Sequence, residues 1–178
     1  SRAPGLVFGY EEAIGYCVNP EVVRDKDGIS AAVKACELAA KLKAAGRTLG
    51  DELADLAVRH GLHATSPLTF RVEDLSLIGQ ALERLRENPP ATLAGAAVVS
   101  YDDLGEGYQG LPPTEGVRIA TEAADRVIVR PSGTEPKLKC YLEVVAPVGS
   151  VADLPQVREA AAARLDRIKD ELREVLGL

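Results

Sequence analysis

Apolar positions recur along this chain in two rhythms, and the change from one to the other organises it. Ile29, Ala32, Val33, Cys36 and Ala40 follow helical spacing and end at Ala45-Gly46, which predicts a core-facing helix. A second helix is announced by Thr48 with Asp51 three residues on. It keeps Leu49, Leu53, Leu56 and Ala57 on one stripe and stops at Gly61. Residues 63–72 read as extended, and Asp74 opens a third helix with Leu75, Ile78, Leu82 and Leu85 on one face. Asn88-Pro89-Pro90 ends it, because the residue before a proline is pushed out of the helical region. The two prolines mark the expected domain boundary, giving segments 1–90 and 91–178.

Beyond the prolines the rhythm becomes extended. Ala96 to Tyr101, Val117 to Thr121 and Val127 to Arg130 are predicted strands, with a Gly/Pro-rich loop from Gly105 to Pro113 between the first two. From Leu138 to Val144, apolar Leu138, Cys140, Leu142 and Val144 alternate with Lys139, Tyr141 and Glu143, as in a strand with one face buried. Asp153 and Pro155 then open a long amphipathic helix carrying Val157, Ala161, Leu165, Ile168, Leu172 and Val175, which predicts a cover for an antiparallel sheet. At the other end, Gly5 to Gly9 reads as a short strand running into a polar loop, Tyr10 to Asn19. The fold class expected is α/β followed by α+β.

Composition narrows the chemistry. The 178 residues are 46% hydrophobic, enough for a sizeable core in one or two compact domains. A net charge of −6 and a pI near 5.1 argue against a general nucleic-acid-binding role, which needs a broad basic face, so any anion site is expected to be local. No apolar run has the length to cross a bilayer, and no membrane partner is expected. Three widely spaced cysteines, Cys17, Cys36 and Cys140, suit neither a disulfide framework nor a zinc knuckle and fit cytoplasmic residence. The chain starts at Ser1 and contains no methionine, so it is read as a piece of something longer.

The stretch Val129-Arg130-Pro131-Ser132-Gly133-Thr134-Glu135-Pro136-Lys137 joins two predicted strands and is dense in hydrogen-bond donors. Arg130 offers a planar fork to two oxyanion oxygens, Ser132 and Thr134 add hydroxyls, and Gly133 lets successive backbone N–H groups converge. Flanking prolines restrict the loop before a ligand arrives. Lys137 and Lys139 add positive potential from one face of the next strand, and Glu135, awkward beside an anion, is expected to pair with Lys137 or to stabilise the loop. The same composition also suits an ordinary tight turn whose Ser and Thr bond their own backbone.

A second candidate is Gly9-Tyr10-Glu11-Glu12-Ala13-Ile14-Gly15-Tyr16. Paired carboxylates beside glycines suit vicinal hydroxyls, since each carboxylate accepts two hydrogen bonds and glycine admits close approach. A solvated acidic loop is the plainer alternative.

The run Arg130-Pro131-Ser132-Gly133-Thr134-Glu135-Pro136 resembles the phosphate-binding loop in the last domain of the alpha-D-phosphohexomutases, without a break. The resemblance implies that Arg130, Ser132, Gly133 and Thr134, aided by Lys139, hold the phosphate that is not reacting. The same family reads sugar hydroxyls with a Gly-Glu-x-Ser-Gly-His loop in its third domain, and Glu12, Gly15 and Tyr16 fall on its Glu, Gly and His positions, beside Glu11. Ile14 replaces the serine and Tyr16 the histidine, which looks more like the phosphoglucomutase-2-like and phosphopentomutase-like branch than the bacterial mannose-type enzymes. Together with Asp25-Lys26-Asp27-Gly28 and the order of elements, the resemblance spans nearly the whole chain. It implies the C-terminal part of a mutase domain 3 over 1–90, and over 91–178 a domain 4 whose antiparallel sheet is covered by helices.

What the resemblance implies for activity is interconversion of sugar 1- and 6-phosphates through a bisphosphate intermediate, a sugar bisphosphate serving as activator. Glucose phosphate is the first expectation, with mannose, ribose and deoxyribose phosphates open. The family's catalytic serine and its Asp-Gly-Asp-Gly-Asp loop for Mg2+ have no counterpart here, so no catalytic or metal-ligating residue is assigned. The chain's partners would be sugar phosphates and the remaining domains of the parent enzyme. A stand-alone anion-binding module is the rival reading. Asp25-x-Asp27-Gly28 lacks the further ligands of a calcium loop and is read as a helix cap, Asp102-Asp103 as a solvated turn, and His60 as a favourable charge at a helix C-terminus.

Overall fold

A computed structural model describes residues 7–11 and 14–178. Two compact units emerge, Ser1–Leu53 and Ala54–Leu178.

In the first unit, β1 (Gly9–Glu11) and β2 (Gly15–Cys17) form an antiparallel hairpin, followed by α1 (Gly28–Ala44). Asp27 caps α1 as expected, accepting from the N–H groups of Ile29 and Ser30 at 3.2 and 3.0 Å. The stripe of α1 is not core-facing within the unit. Ile29 is 79% and Val33 62% exposed, Cys36 is also exposed, and only Leu42 is buried. The periodicity reports an amphipathic helix, but the hairpin is too small to cover it. The strand expected from Gly5 lies largely outside the described residues, and β1 begins at Gly9.

The boundary between units falls within α2 (Leu49–His60). Its start is a reciprocal cap in which Thr48 N–H donates to Asp51 Oδ2 at 2.8 Å and Asp51 N–H to Thr48 Oγ1 at 3.1 Å. The second unit continues with β3 (Leu62–Arg71), α3 (Ser76–Glu87), β4 (Thr92–Leu93), β5 (Ala96–Asp103), β6 (Val117–Thr121), β7 (Arg126–Pro131), β8 (Lys137–Ala146) and α4 (Leu154–Leu176). The strands make one six-stranded antiparallel sheet in the order β3-β8-β7-β6-β5-β4.

The division expected at Asn88-Pro90 therefore differs from the one the contacts show. β3 pairs with β8 over its whole length, from Leu62↔Ala146 to Arg71↔Lys137, and α3 buries Ile78, Ala81, Leu82 and Leu85 in the same core. The prolines end a helix, but ladder pairing and apolar burial hold both flanks in one unit.

One face of the sheet is apolar. Val117, Ile119, Val127, Val129, Leu138, Cys140, Leu142 and Val144 pack against α3 and against Leu165, Ile168, Leu172 and Leu176 of α4. Each fully buried aliphatic side chain contributes about 1.5–3 kcal/mol. Gly177, in the left-handed region at φ 65°, ends α4, and Arg84 Nε of α3 donates to the Leu176 carbonyl at 3.0 Å. The opposite face carries the alternate residues: Arg71, Thr69 and Thr65 on β3, Lys137, Lys139, Tyr141 and Glu143 on β8, and Arg126, Ile128 and Arg130 on β7.

Candidate functional site

The donor-rich loop is the β7–β8 connection. Arg130 is an exposed residue near the end of β7 and stands in register with Lys139 on β8. The loop is fastened at both ends: Ser132 N–H donates to Lys137 O at 2.8 Å, and Val72 N–H, just beyond β3, to Pro136 O at 3.1 Å. Between these anchors its donors meet no acceptor among the described residues. Among the described residues, the N–H groups of Gly133, Thr134 and Glu135 and the hydroxyls of Ser132 and Thr134 make no hydrogen bond. A tight turn stabilised by its own Ser and Thr would have used those hydroxyls. A Cβ built on Gly133 would meet nothing within 4 Å, so space lies above the loop where a ligand could approach the backbone.

Glu135 pairs with Lys137, as the sequence suggested. The hydrogen bond from Lys137 holds the Glu135 carboxyl below its usual range, assisted by the charges of Lys137, Arg71 and Lys139. The side chains of Arg130 and Lys139 have no hydrogen-bond or ion-pair partner among the described residues. Arg118, farther along the open face, is committed to Asp102 at 2.8 Å and lies 5.0 Å from the centre of the Tyr108 ring. Asp103, its neighbour, caps Gly105 N–H at 2.9 Å and receives Arg86 Nε at 2.8 Å. The Asp102-Asp103 pair is thus structural.

The second candidate is the β1–β2 hairpin. Tyr10 and Tyr16 are cross-strand partners with ring centroids 5.5 Å apart. Glu11 lies over Gly15, where an added Cβ would stand 2.6 Å from Glu11 Oε1, and reaches Lys26 Nζ at 2.6 Å. Asp27 N–H donates to Tyr16 O at 3.0 Å, bringing Asp25-Lys26 against the hairpin. A cavity of about 260 Å³ opens here between Glu11, Gly15, Arg24 and Lys26. Glu12 lies outside the described residues. The structure brings together Glu11, Gly15 and Tyr16 in one unit, and Arg130, Ser132, Gly133, Thr134 and Lys139 in the other.

Two cations were missed by sequence reasoning. Lys26 stands out in the sequence only as part of a matching run, although Glu11 raises its pKa through a direct hydrogen bond. Arg71 reaches the β7–β8 loop through strand register with β8, and its place in the alternation of β3 was the available signal.

No group of three or more His, Cys, Asp or Glu side chains among the described residues could hold a metal ion. The described residues offer no ligand set that fits the Mg2+ implied by the resemblance. No helix is long and apolar enough to cross a membrane among the described residues.

A family model described as "Phosphoglucomutase/phosphomannomutase, C-terminal domain" matches residues 68–160. Another, described as "Phosphoglucomutase/phosphomannomutase, alpha/beta/alpha domain III", matches residues 2–59. A probable phosphomannomutase of Haemophilus influenzae is 43% identical over 143 residues, covering 80% of this chain and 29% of that protein. A human phosphopentomutase is 34% identical over 161 residues (82% and 26%), and a Staphylococcus aureus phosphoglucomutase 30% identical over 156 residues (80% and 28%). The chain thus spans under a third of the length of these relatives. Among solved structures, the open form of the exocytosis-sensitive phosphoprotein pp63/parafusin, a phosphoglucomutase from Paramecium, superposes with a TM-score of 0.67 at 20% identity. It covers 95% of this chain and 30% of that one, a likeness of fold.

Proposed function

The chain belongs to the phosphoglucomutase/phosphomannomutase family, by its domain III and C-terminal domain, and on that premise we propose that it supplies the phosphate-holding and sugar-reading loops of a sugar-phosphate mutase. The parent enzyme interconverts sugar 1- and 6-phosphates through a bisphosphate intermediate that turns over in the site. One observation carries the phosphate role: successive N–H groups of Gly133, Thr134 and Glu135 and two hydroxyls stand unpaired among the described residues, beside the unpaired Arg130 guanidinium.

A bisphosphate that binds in two orientations needs one place that accepts either phosphate while the other reacts. The 132–136 loop and Arg130 perform that task by charge-assisted hydrogen bonds to oxygens alone, blind to which sugar carbon bears the phosphate. Glu11, Glu12, Gly15 and Tyr16 are proposed to read ring hydroxyls, with Lys26 orienting the Glu11 carboxylate. Phosphoryl transfer and Mg2+ binding are assigned to other parts of the parent enzyme, so this chain alone is expected to show no turnover with a bisphosphate activator. Cytoplasmic residence belongs to the same proposal.

Hexose phosphates, glucose first, are the proposed substrates. The likeness to a phosphopentomutase makes pentose phosphate the alternative. The test is Arg130→Ala in the full-length parent, expected to raise KM for sugar phosphate about 30-fold or more, as for loss of a charged hydrogen-bonding partner. Unchanged KM and kcat/KM would remove the phosphate role. Assaying glucose, mannose and ribose 1-phosphates with the same enzyme identifies the sugar.

A further inference from the structure

The loop end of the open sheet face holds more positive charge than the motif accounts for. Register places Arg71 of β3 opposite Lys137 of β8, Thr69 opposite Lys139, and Lys139 opposite Arg130 of β7. Residues paired across antiparallel strands share a face, and neighbouring strands lie only about 4.8 Å apart. Arg71, Lys137, Lys139 and Arg130 are therefore gathered on one face where the 132–136 loop leaves the sheet. The Val72–Pro136 hydrogen bond of 3.1 Å ties the end of β3 directly to that loop.

Like charges opposite one another on a sheet are destabilising unless something answers them. Elsewhere in this unit, Arg86, Arg118, Arg126 and Arg164 each meet a carboxylate. The Arg71 side chain meets none among the described residues. The answering group here is Glu135, which pairs with Lys137 and also lies in the field of Arg71 and Lys139, the combination that holds its carboxyl below the usual range. An anion already occupies this cationic end, and it belongs to a loop side chain that is half-exposed, at 47%. The carboxylate marks a place where negative charge is favourable.

We propose that Arg71 is a further phosphate-binding residue of this site, completing with Lys137 and Lys139 a cationic wall beside the 132–136 loop, and that Glu135 is its internal counter-ion, displaced when phosphate binds. This rests on the reading of that loop as an anion cradle. The ligand chemistry is a phosphate dianion, whether inorganic or on a sugar. Arg71 adds long-range attraction and a contact from the edge strand, while Glu135 lowers affinity by competing for the same cations.

The experiment is titration of the 178-residue chain with inorganic phosphate at fixed low salt, followed by amide shifts of Ser132, Gly133 and Thr134. Arg71→Gln is expected to weaken binding about three- to tenfold with unchanged Tm, and Glu135→Gln to tighten it at least about twofold. Arg71→Lys, which keeps the charge, stays within about twofold of the unaltered chain. If Arg130→Ala weakens binding and Arg71→Gln does not, Arg71 has no such role and the loop assignment stands. If Arg71→Lys loses as much affinity and stability as Arg71→Gln, the residue is structural and the inference is overturned. Absence of any phosphate-dependent shift in the unaltered chain overturns the cradle itself and this inference with it.

Discussion

Gly116 and Arg130 approach so closely across β6 and β7 that a Cβ on the glycine would stand 3.0 Å from Arg130 Cβ and 2.7 Å from the Val129 carbonyl oxygen. Gly116 also has φ +145°, where L side chains are strained. The position just before β6 thus sets how β7 presents its arginine. Gly116→Ala is expected to cost about 1–3 kcal/mol in urea unfolding and to move the Arg130 amide resonance more than that of Glu143 at the other end of the sheet. Equal shifts at both ends would show that the crowding is relieved without touching Arg130.

Asp125, in the β6–β7 turn, has a fully buried side chain that accepts from Thr121 Oγ1 at 3.0 Å and pairs with Arg164 of α4 at 2.6 Å. Removing one partner of a buried pair strands the other charge. Asp125→Ala should destabilise by about 3 kcal/mol, and adding Arg164→Met should recover part of that loss. Chemical denaturation of the two variants checks both statements, and additive losses would contradict the coupling.

Burial pushes the Cys140 thiol up to about 12, so almost none of it is thiolate at pH 8. Cys36 lies exposed on α1, within reach of a reagent in solvent. A disulfide-exchange reagent at pH 8 should modify Cys36 in the native chain and reach Cys140 only after denaturation. Rapid native labelling of Cys140, located by peptide mapping, would show that the core opens there.

Arg86 first, and then the Gly105 N–H, hold the Asp103 carboxyl below its usual range. The folded state therefore binds this proton less readily than the unfolded chain. Its stabilisation is complete above the unfolded value of about 3.9 and is lost as pH falls through the lower folded value. In urea midpoints measured downward from pH 5, Asp103→Asn should show a shallower loss of stability than the unaltered chain. Parallel curves would remove Asp103 from the acid transition.

What the sequence disclosed follows from which interactions are local. Alternation located the strand from Val117 to Thr121 and the buried face of β8, because a half-buried strand must alternate. The Asp27 and Thr48-Asp51 caps were legible for the same reason, each closing within three residues. The donor-rich 132–136 loop was visible because its donors are contiguous. Arg71 was not, since it joins them only through the register of a strand distant in sequence. The division by contacts is likewise non-local: Pro89-Pro90 stops α3, while the allegiance of α3 is decided by burial against β8 and α4. For α1, periodicity revealed an apolar stripe without saying what covers it.

The strand order carries a consequence for the chain as it is made. β4 to β8 run as successive neighbours from one edge of the sheet, whereas β3, synthesised first, lies at the other edge and pairs only with the last strand. While the ribosome is still adding the intervening residues, β3 has no partner, and both of its edges can meet other chains. The meander can assemble without β3, whereas β3 can pair only once Lys137–Ala146 has arrived, a step of high contact order. Because that step brings Arg71 and Lys137 together, the cationic end of the sheet is complete only after β8 has left the exit tunnel.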